Sequence, residues 1–309
     1  MKKIFIDGSA GTTGLRIYER LSSRKDIEII TLSDDKRKVP EYRKQAINES
    51  DVTFLCLPDD GAREAVSFIE NPSVVVIDAS TAHRTESGWT YGFPELDVSI
   101  EKALPSAKRI AVPGCHASGV ISLIAPLIAK GILKKDSLLS ATSVTGYSGG
   151  GKKMIADYQS ENKSPLLDFP RQYALTQQHK HLKEISFYTK LDKAPAFSPI
   201  VAPFYSGMEV TVPIFIENLT AGKTKTDVIN ALKEQYNGKI VFYSDDAEEG
   251  FISSGVLSGK DSMQISVFGN EERILLCSRY DNLGKGASGA AVECLNYVLG
   301  LSLEFGLEL

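Results

Sequence analysis

Apolar and polar residues fall into alternating blocks along the first 140 residues of the chain. KKIFID (2–7) is a short β-rich run that stops at a glycine-rich turn. GTTGLRIYERLSSR (11–24) follows, with Leu15, Tyr18 and Leu21 at helical spacing. IEIITLS (27–33), DVTFLCLP (51–58) and SVVVIDAS (73–80) predict three more strands, with a helix over REAVSFIE (63–70) between the last two. Strands that alternate with helices predict βαβ units and a parallel sheet. Such strands are covered on both faces and so read as continuous apolar runs rather than as period-two patterns.

Beyond residue 140 the pattern changes. SLLSATSVTGYSGGGKK (137–153) begins as a strand and ends in a glycine-rich loop. PFYSGMEVTVPIFI (203–216), KIVFYS (239–244) and ERILLCSRYD (272–281) are β-like, with fewer helices between them. This predicts an α+β domain with a mixed or antiparallel sheet. LGKGASGAAVECLNYVLGLSLEF (283–305) reads as a closing helix. The expected organisation is a first domain over 1–140, rejoined by a C-terminal helix over 284–309, and a second domain over 141–283. The length of 309 residues suits two domains of roughly 150 each.

Composition narrows the function classes. Lys plus Arg number 35 and Asp plus Glu 39, a net charge of −4, which lacks the basic footprint of a nonspecific nucleic-acid binder. Four cysteines are too few for a disulfide scaffold. The most apolar stretch, 119–133, is broken by Ser122, Pro126 and Lys130, short of the ~18 uninterrupted residues of a membrane helix. Ile4–Phe5–Ile6 is too short for a signal-peptide core before Asp7. A cytoplasmic protein with reduced thiols and no membrane or nucleic-acid partner is expected.

The turn Gly8-Ser-Ala-Gly11-Thr12-Thr13-Gly14 lies between the first strand and the first helix. That is where a dinucleotide pyrophosphate meets the amides and positive dipole of a helix N-terminus. The spacing is G-x-x-G-x-x-G, a variant of the commoner fingerprint. An NAD site would carry an acidic residue at the end of the second strand. Here Ser33, Lys36 and Arg37 can neutralise a 2′-phosphate, which favours NADP, while Asp34 and Asp35 argue the other way.

Cys115, in IAVPGCHASG (110–119), precedes an apolar helical stretch. A thiol at a helix N-terminus is more easily ionised, and the same amides can hold an oxyanion. Cys56 and Cys277 read as strand cysteines and Cys294 as a helix-face cysteine. Of the four histidines, His179 and His181 flank Lys180, and either has the near-neutral pKa suited to exchanging protons beside Cys115. Cys115, His116, His179 and His181 lack the paired spacing of a zinc site, so no metal is expected. Arg84, after His83 in DASTAHR, suits either a substrate carboxylate or an acidic neighbour. Ser148, Gly149 and Lys152 form either a phosphate cradle or a plain surface loop.

Taken in order, GSAGTTGL, LCLPDDGAREAV, DASTAHR, GFPEL, VPGCHASG, VTGYSGGGKKMI, HKHLKEI and DNLGKGASGAAV resemble the shorter class of the N-acetyl-gamma-glutamyl-phosphate reductase family over essentially the whole chain. The resemblance implies a Rossmann-type first domain and an α+β second domain that carries substrate and a homo-oligomer contact. It implies NADPH-dependent reductive dephosphorylation of an acyl phosphate in arginine biosynthesis. Cys115 then matches the nucleophile, and the acid–base histidine falls in the HKH segment, with His179 slightly favoured over His181. Asn282 and Gly286 then lie near the nicotinamide. Aspartate-semialdehyde dehydrogenase shares the fold and cysteine chemistry and is the alternative enzyme; a non-catalytic NADP-sensing regulator is the alternative of another class.

Overall fold

The computed structural model describes all 309 residues. The first part of the chain forms β1 (Lys2–Asp7), α1 (Thr12–Ser22), β2 (Ile27–Ile30), α2 (Pro40–Glu49), β3 (Val52–Leu55), α3 (Asp59–Ser67), β4 (Val75–Asp78), β5 (Thr90–Tyr91), α4 (Val98–Ala103) and β6 (Arg109–Ala111). Then come α5 (Cys115–Ala129), β7 (Ser140–Gly146), α6 (Gly151–Gln159), β8 (Arg171–Gln172), α7 (His181–Thr189), β9 (Ala196–Ala202) and β10 (Met208–Phe215). The chain closes with α8 (Lys225–Gln235), β11 (Val241–Tyr243), β12 (Met263–Gly269), β13 (Arg273–Tyr280) and α9 (Gly289–Leu299). It divides into two compact units, Met1–Pro113 with Ala287–Leu307, and Gly114–Gly286 with Glu308–Leu309.

The first unit is built on a six-stranded sheet, β2-β1-β3-β4-β6-β5, parallel throughout. All four residues of β3 and of β4 are buried, as expected of strands covered on both faces. Alternation along β1 sends Ile4 and Ile6 to one face, where they pack with Ile17 and Leu21 of α1 and with Val292 and Leu295 of α9. Phe5 goes to the other face, among Ala46 and Ile47 of α2 and Ala62 and Ala65 of α3. Each large side chain buried in these layers contributes about 1.5–3 kcal/mol relative to exposure. Strand order reverses at β1, which has β2 on one side and β3 on the other. Ligands of open α/β sheets bind at the carboxyl ends of strands flanking such a reversal.

The second unit holds a seven-stranded mixed sheet, β11-β12-β13-β10-β7-β9-β8. Its β7–β9 and β11–β12 pairs are parallel and its other four pairs antiparallel. Period two is clear in β10, where Met208, Val210, Val212 and Ile214 are buried and the residues between them are not. Three of its strands, the short β8 among them, lie outside the sequence expectation. β9 contains Pro199, normally a strand breaker, and β12 carries Gln264 and Ser266 on buried positions.

Two sequence expectations are corrected. The domain boundary lies between Pro113 and Gly114 rather than near 140, because α5 packs on α7, α8, β10 and β13 of the second unit. Residues 116–128 of α5 are buried on every side, so its sequence carries no polar face to indicate which sheet it serves. The closing helix does not reach 309. It ends at Leu299, where Gly300 adopts the left-handed conformation (φ 65°) that terminates helices, and it is preceded by a π-helical turn over 284–288. No helix is long and apolar enough to cross a membrane.

Candidate active site

In the first unit the glycine turn sits at the strand-order reversal. Gly8 has φ 89°, and a Cβ there would stand 2.3 Å from the carbonyl oxygen of Cys56, which follows β3. A Cβ on Gly14 would stand 2.4 Å from the carbonyl oxygen of Gly8. Gly11 donates its amide to that oxygen at 2.9 Å. The turn is therefore closed onto β3 and onto α1, with Thr12 and Thr13 as the first residues of the helix. Thr12 Oγ1 and Arg16 Nε are buried and have no hydrogen-bond partner. Unspent donors beside a helix N-terminus without a side-chain cap are the complement of a phosphate.

A cleft of about 580 Å³ opens beside the turn, lined by Gly8, Ser9, Ala10, Thr31, Arg37 and Lys38. A neighbouring hollow of about 620 Å³ is lined by Ser33, Lys36, Tyr42 and Gln45. The two acidic residues that argued against a 2′-phosphate are occupied locally. Asp34 pairs with Arg37 Nε at 3.1 Å, and the hydroxyl of Ser33 holds the Asp35 carboxyl below its usual range. Lys36 Nζ lies 4.8 Å over the Tyr42 ring. Two cleft residues had no sequence signal. Asp7, at the end of β1, has its carboxyl raised by burial although Arg43 of α2 bonds it at 3.0 Å, and Arg43 also reaches Glu64 at 2.5 Å.

DASTAHR follows β4 in the same unit. His83 Nδ1 bonds Asp78 Oδ2 at 2.6 Å, and its ring stacks on Trp89 at 4.1 Å between centroids. Arg84 is buried and donates to the carbonyls of Val112 (2.9 Å) and Ala79 (3.1 Å). These bonds shape the loop that carries it.

In the second unit Cys115 is the first residue of α5, after an extended Gly114 that supplies no side-chain cap. The first amides of a helix have no intrahelical acceptor. Gly114 gives its amide to Glu184 Oε1 at 2.9 Å, while the amides that follow adjoin the thiol. Cys115 is half-buried, whereas Cys277 and Cys294 are buried. Burial pushes the Cys277 thiol up to about 12, and it raises Cys56, which Asp78 and Asp7 raise further.

Three histidines gather on this helix end. The ring centroid of His116 lies 5.5 Å from that of His179 and 5.7 Å from that of His181, and the last two are 4.7 Å apart. His116 spends both ring nitrogens, Nδ1 with Ser143 Oγ at 2.7 Å and Nε2 with the Tyr173 hydroxyl at 2.6 Å, so neither is available to a metal. Burial, with help from His179 and Lys180, lowers its pKa to about 3. His181 is buried and opens α7. His179 is half-buried just before that helix, and its Nδ1 accepts the His181 amide at 3.1 Å. Burial and Lys180 lower its pKa to about 4, so it is neutral near pH 7. With Nδ1 accepting, the proton of the neutral ring sits on Nε2.

The remaining candidates divide between these surroundings. Ser148 and Gly149 lie in a 3₁₀ turn over 147–150, and Lys152 is exposed in the first turn of α6, so the glycine-rich segment is ordered as turn and helix rather than as an open loop. Asn282 Nδ2 donates to Ser148 Oγ at 2.9 Å, and Asn282 Oδ1 accepts the Gly207 amide at 3.0 Å. Gly286 abuts Cys115: a Cβ there would stand 3.2 Å from Cys115 Cβ. Sequence reasoning missed Ser143, Tyr173, Glu184 and Tyr280. Only Glu184 had a signal, three residues after His181 on the same helix.

Family models match both units: the NAD-binding domain of semialdehyde dehydrogenases over 3–103, and their dimerisation domain over 115–282. A protein of Nostoc sp. named N-acetyl-gamma-glutamyl-phosphate reductase 2 is 42% identical over 318 aligned positions, covering 99% of each chain. One of Chelativorans sp., named N-acetyl-gamma-glutamyl-phosphate reductase, is 43% identical over 305, covering 96% of this chain and 98% of its own. Among solved structures, aspartate semialdehyde dehydrogenase II of Vibrio cholerae superposes with a TM-score of 0.71 at 17% identity, over 97% of this chain and 99% of that one. At that identity the likeness concerns the fold.

Proposed function

The chain belongs to the N-acetyl-gamma-glutamyl-phosphate reductase family, and we propose that it carries out the reaction of that name: NADPH-dependent reduction of N-acetyl-gamma-glutamyl phosphate to N-acetylglutamate 5-semialdehyde and phosphate, in arginine biosynthesis. The observation that supports it most directly is Cys115, half-buried at the first position of α5, with the ring of the adjacent His116 5.5 Å between centroids from a neutral, singly oriented His179.

The Cys115 thiolate attacks the carbonyl carbon of the acyl phosphate. The carbon–oxygen bond to phosphate breaks, phosphate leaves, and a thioester remains. When bound, the nicotinamide supplies the hydride that makes the thioester reducible to an aldehyde. The amides at the start of α5 hold the negative oxygen that develops at each tetrahedral stage. His179 gives that oxygen its Nε2 proton and takes it back as the carbon–sulfur bond breaks, which releases the aldehyde and restores the thiolate. His181 is the alternative acid–base group.

Gly8, Gly11, Thr12, Thr13 and Gly14 are assigned to the pyrophosphate, and Ser33, Lys36 and Arg37 to the 2′-phosphate. The unpartnered Thr12 Oγ1 and the Cβ-free approach at Gly8 and Gly14 fit the pyrophosphate. Asn282 and Gly286 are assigned to the nicotinamide end, Ser148, Gly149 and Lys152 to the leaving phosphate, and Arg84 to the substrate carboxylate. A homo-oligomer in the cytoplasm is part of this reading, supported by the dimerisation-domain match.

The test is phosphate-dependent reduction of NADP⁺ with N-acetylglutamate semialdehyde and, in parallel, aspartate semialdehyde. Turnover of the first substrate alone is expected. Preference for the second would transfer the chain to the dehydrogenase reaction, and NADPH binding without turnover of either would leave a sensor. Cys115→Ser is expected to abolish turnover while NADPH still quenches or shifts fluorescence as in the wild type; normal turnover would remove Cys115 from the chemistry.

A further inference from the structure

Tyr280 closes β13, with Met208 of β10 opposite it on one side and Met263 of β12 on the other. Its side chain is wholly buried. The hydroxyl does not end in the core. It donates to the main-chain oxygen of Cys115 at 2.5 Å and accepts the amide of Gly119 at 3.1 Å. Residues 115 and 119 are the carbonyl and amide that one rung of an α-helix joins. The phenol therefore stands in the rung after the Gly114–Ser118 bond that opens α5, on the carbonyl of the residue assigned as nucleophile.

Three further observations make this a built feature. A Cβ on Gly119 would lie 2.6 Å from Tyr280 Oη and 2.6 Å from Val210 Cγ2, so the ring reaches the helix only because position 119 has no side chain. Glycine is a poor interior helix residue, and close approach of the phenol accounts for it here. The next residue, Asp281, is fixed by the amides of Gly259 (2.5 Å) and Leu283 (2.8 Å), so the chain just past the ring is anchored. The phenol is also held well above its ordinary pKa by burial and by the nearby Cys115 charge, so it keeps its proton wherever the thiol ionises.

We propose that Tyr280 is a positioning residue for Cys115, its hydroxyl bridging the Cys115–Gly119 rung in the first turn of α5 so that the sulfur stands against the helix-end amides. The proposal rests on the reading of Cys115 as nucleophile. A side chain inserted into a helical rung holds that turn open. Without the hydroxyl, the Gly119 amide pairs with the Cys115 carbonyl alone, the turn tightens, and the sulfur shifts from the donors that stabilise its ionised form.

Tyr280→Phe tests this, with Ser278→Ala as control. Ser278 Oγ is a buried hydroxyl on the same strand that faces Gly119 without a hydrogen-bond partner. For Tyr280→Phe the expected result is kcat at least tenfold lower, unchanged NADPH affinity, and a rise of at least half a unit in the pH midpoint of Cys115 alkylation by iodoacetamide. For Ser278→Ala all three stay at wild-type values. Wild-type kcat and an unchanged alkylation midpoint in Tyr280→Phe overturn the proposal, as does an equal effect of Ser278→Ala. If Tyr280→Phe does not fold, 3-fluorotyrosine at position 280 alone replaces it: this keeps the ring and makes the hydroxyl a stronger donor. A lowered alkylation midpoint then supports the role and an unchanged one overturns it. Failure of the nucleophile reading shows separately, as turnover by Cys115→Ser.

Discussion

His116 is a buried base whose native pKa, about 3, lies far below the 6.5 of an ordinary histidine. The cause is first burial, and then the neighbouring His179 and Lys180. The sign of the consequence follows from proton counting. Below pH 6.5 the unfolded chain takes up a proton at this site and the native protein does not, so stability falls as pH falls from about 6.5 towards 3. At pH 4.5 the unfolded state has been favoured over two pH units, at about 1.4 kcal/mol each, or about 2.7 kcal/mol relative to pH 7.5. Most of a marginal stability of ~5–15 kcal/mol can be eroded by a few such sites. His116→Gln keeps an amide between Ser143 and Tyr173 but does not titrate. Urea unfolding followed by circular dichroism at pH 7.5 and 4.5 measures the difference. The wild type is expected to lose about 2.7 kcal/mol more than the variant over that interval. Parallel losses in the two proteins would show that His116 is not held neutral by its surroundings, and would undo the argument.

Other outcomes follow from the same geometry. Iodoacetamide at neutral pH is expected to label Cys115 first and the buried Cys277 and Cys294 last; mass spectrometry showing equal labelling of all four thiols would argue against an activated Cys115. Gly8→Ala places a Cβ 2.3 Å from the Cys56 carbonyl at a φ of 89° and is expected to raise the NADPH Kd at least tenfold and lower Tm; unaltered titration and melting curves would mean the turn has room to adjust. Arg37→Ala is expected to weaken NADPH binding at least tenfold and to leave NADH binding within twofold. Equal weakening of both would take Arg37 off the 2′-phosphate.

The parts of the fold that could be read from sequence are those where burial is one-sided or periodic. KKIFID, the apolar runs at β3 and β4, and the glycine turn declare a parallel sheet and its ligand crevice, because strands covered twice have few polar residues to mislead. The origin of α5 was hidden for the opposite reason: a helix buried all round has no face to point with. β9 was concealed by Pro199, and β12 by polar residues whose partners come from other strands and loops, such as Ser266 bonding the Ser244 carbonyl at 2.6 Å. At the site, Cys115 and the HKH histidines stood out as reactive residue types at marked turns. Tyr173, Tyr280 and Ser143 did not, since they act through hydrogen bonds to residues 57, 165 and 27 positions away in the chain, a relation no local pattern encodes.

Val292 and Leu295 are packed between Ile4, Ile6, Ile17 and Leu21. The apolar layer begun by β1 and α1 is therefore completed only by α9, after residues 114–286 of the second unit have intervened. At roughly 5–20 residues per second, synthesis of the interval takes on the order of 15–60 s. During that time residues 114–286, nearly all of the second unit, are free to fold, while the first waits with one face of its sheet uncovered. β1 and α1 are thus sealed only once α9 has been made, and a chain cut before Gly289 would leave that apolar flank of the first sheet open and adhesive.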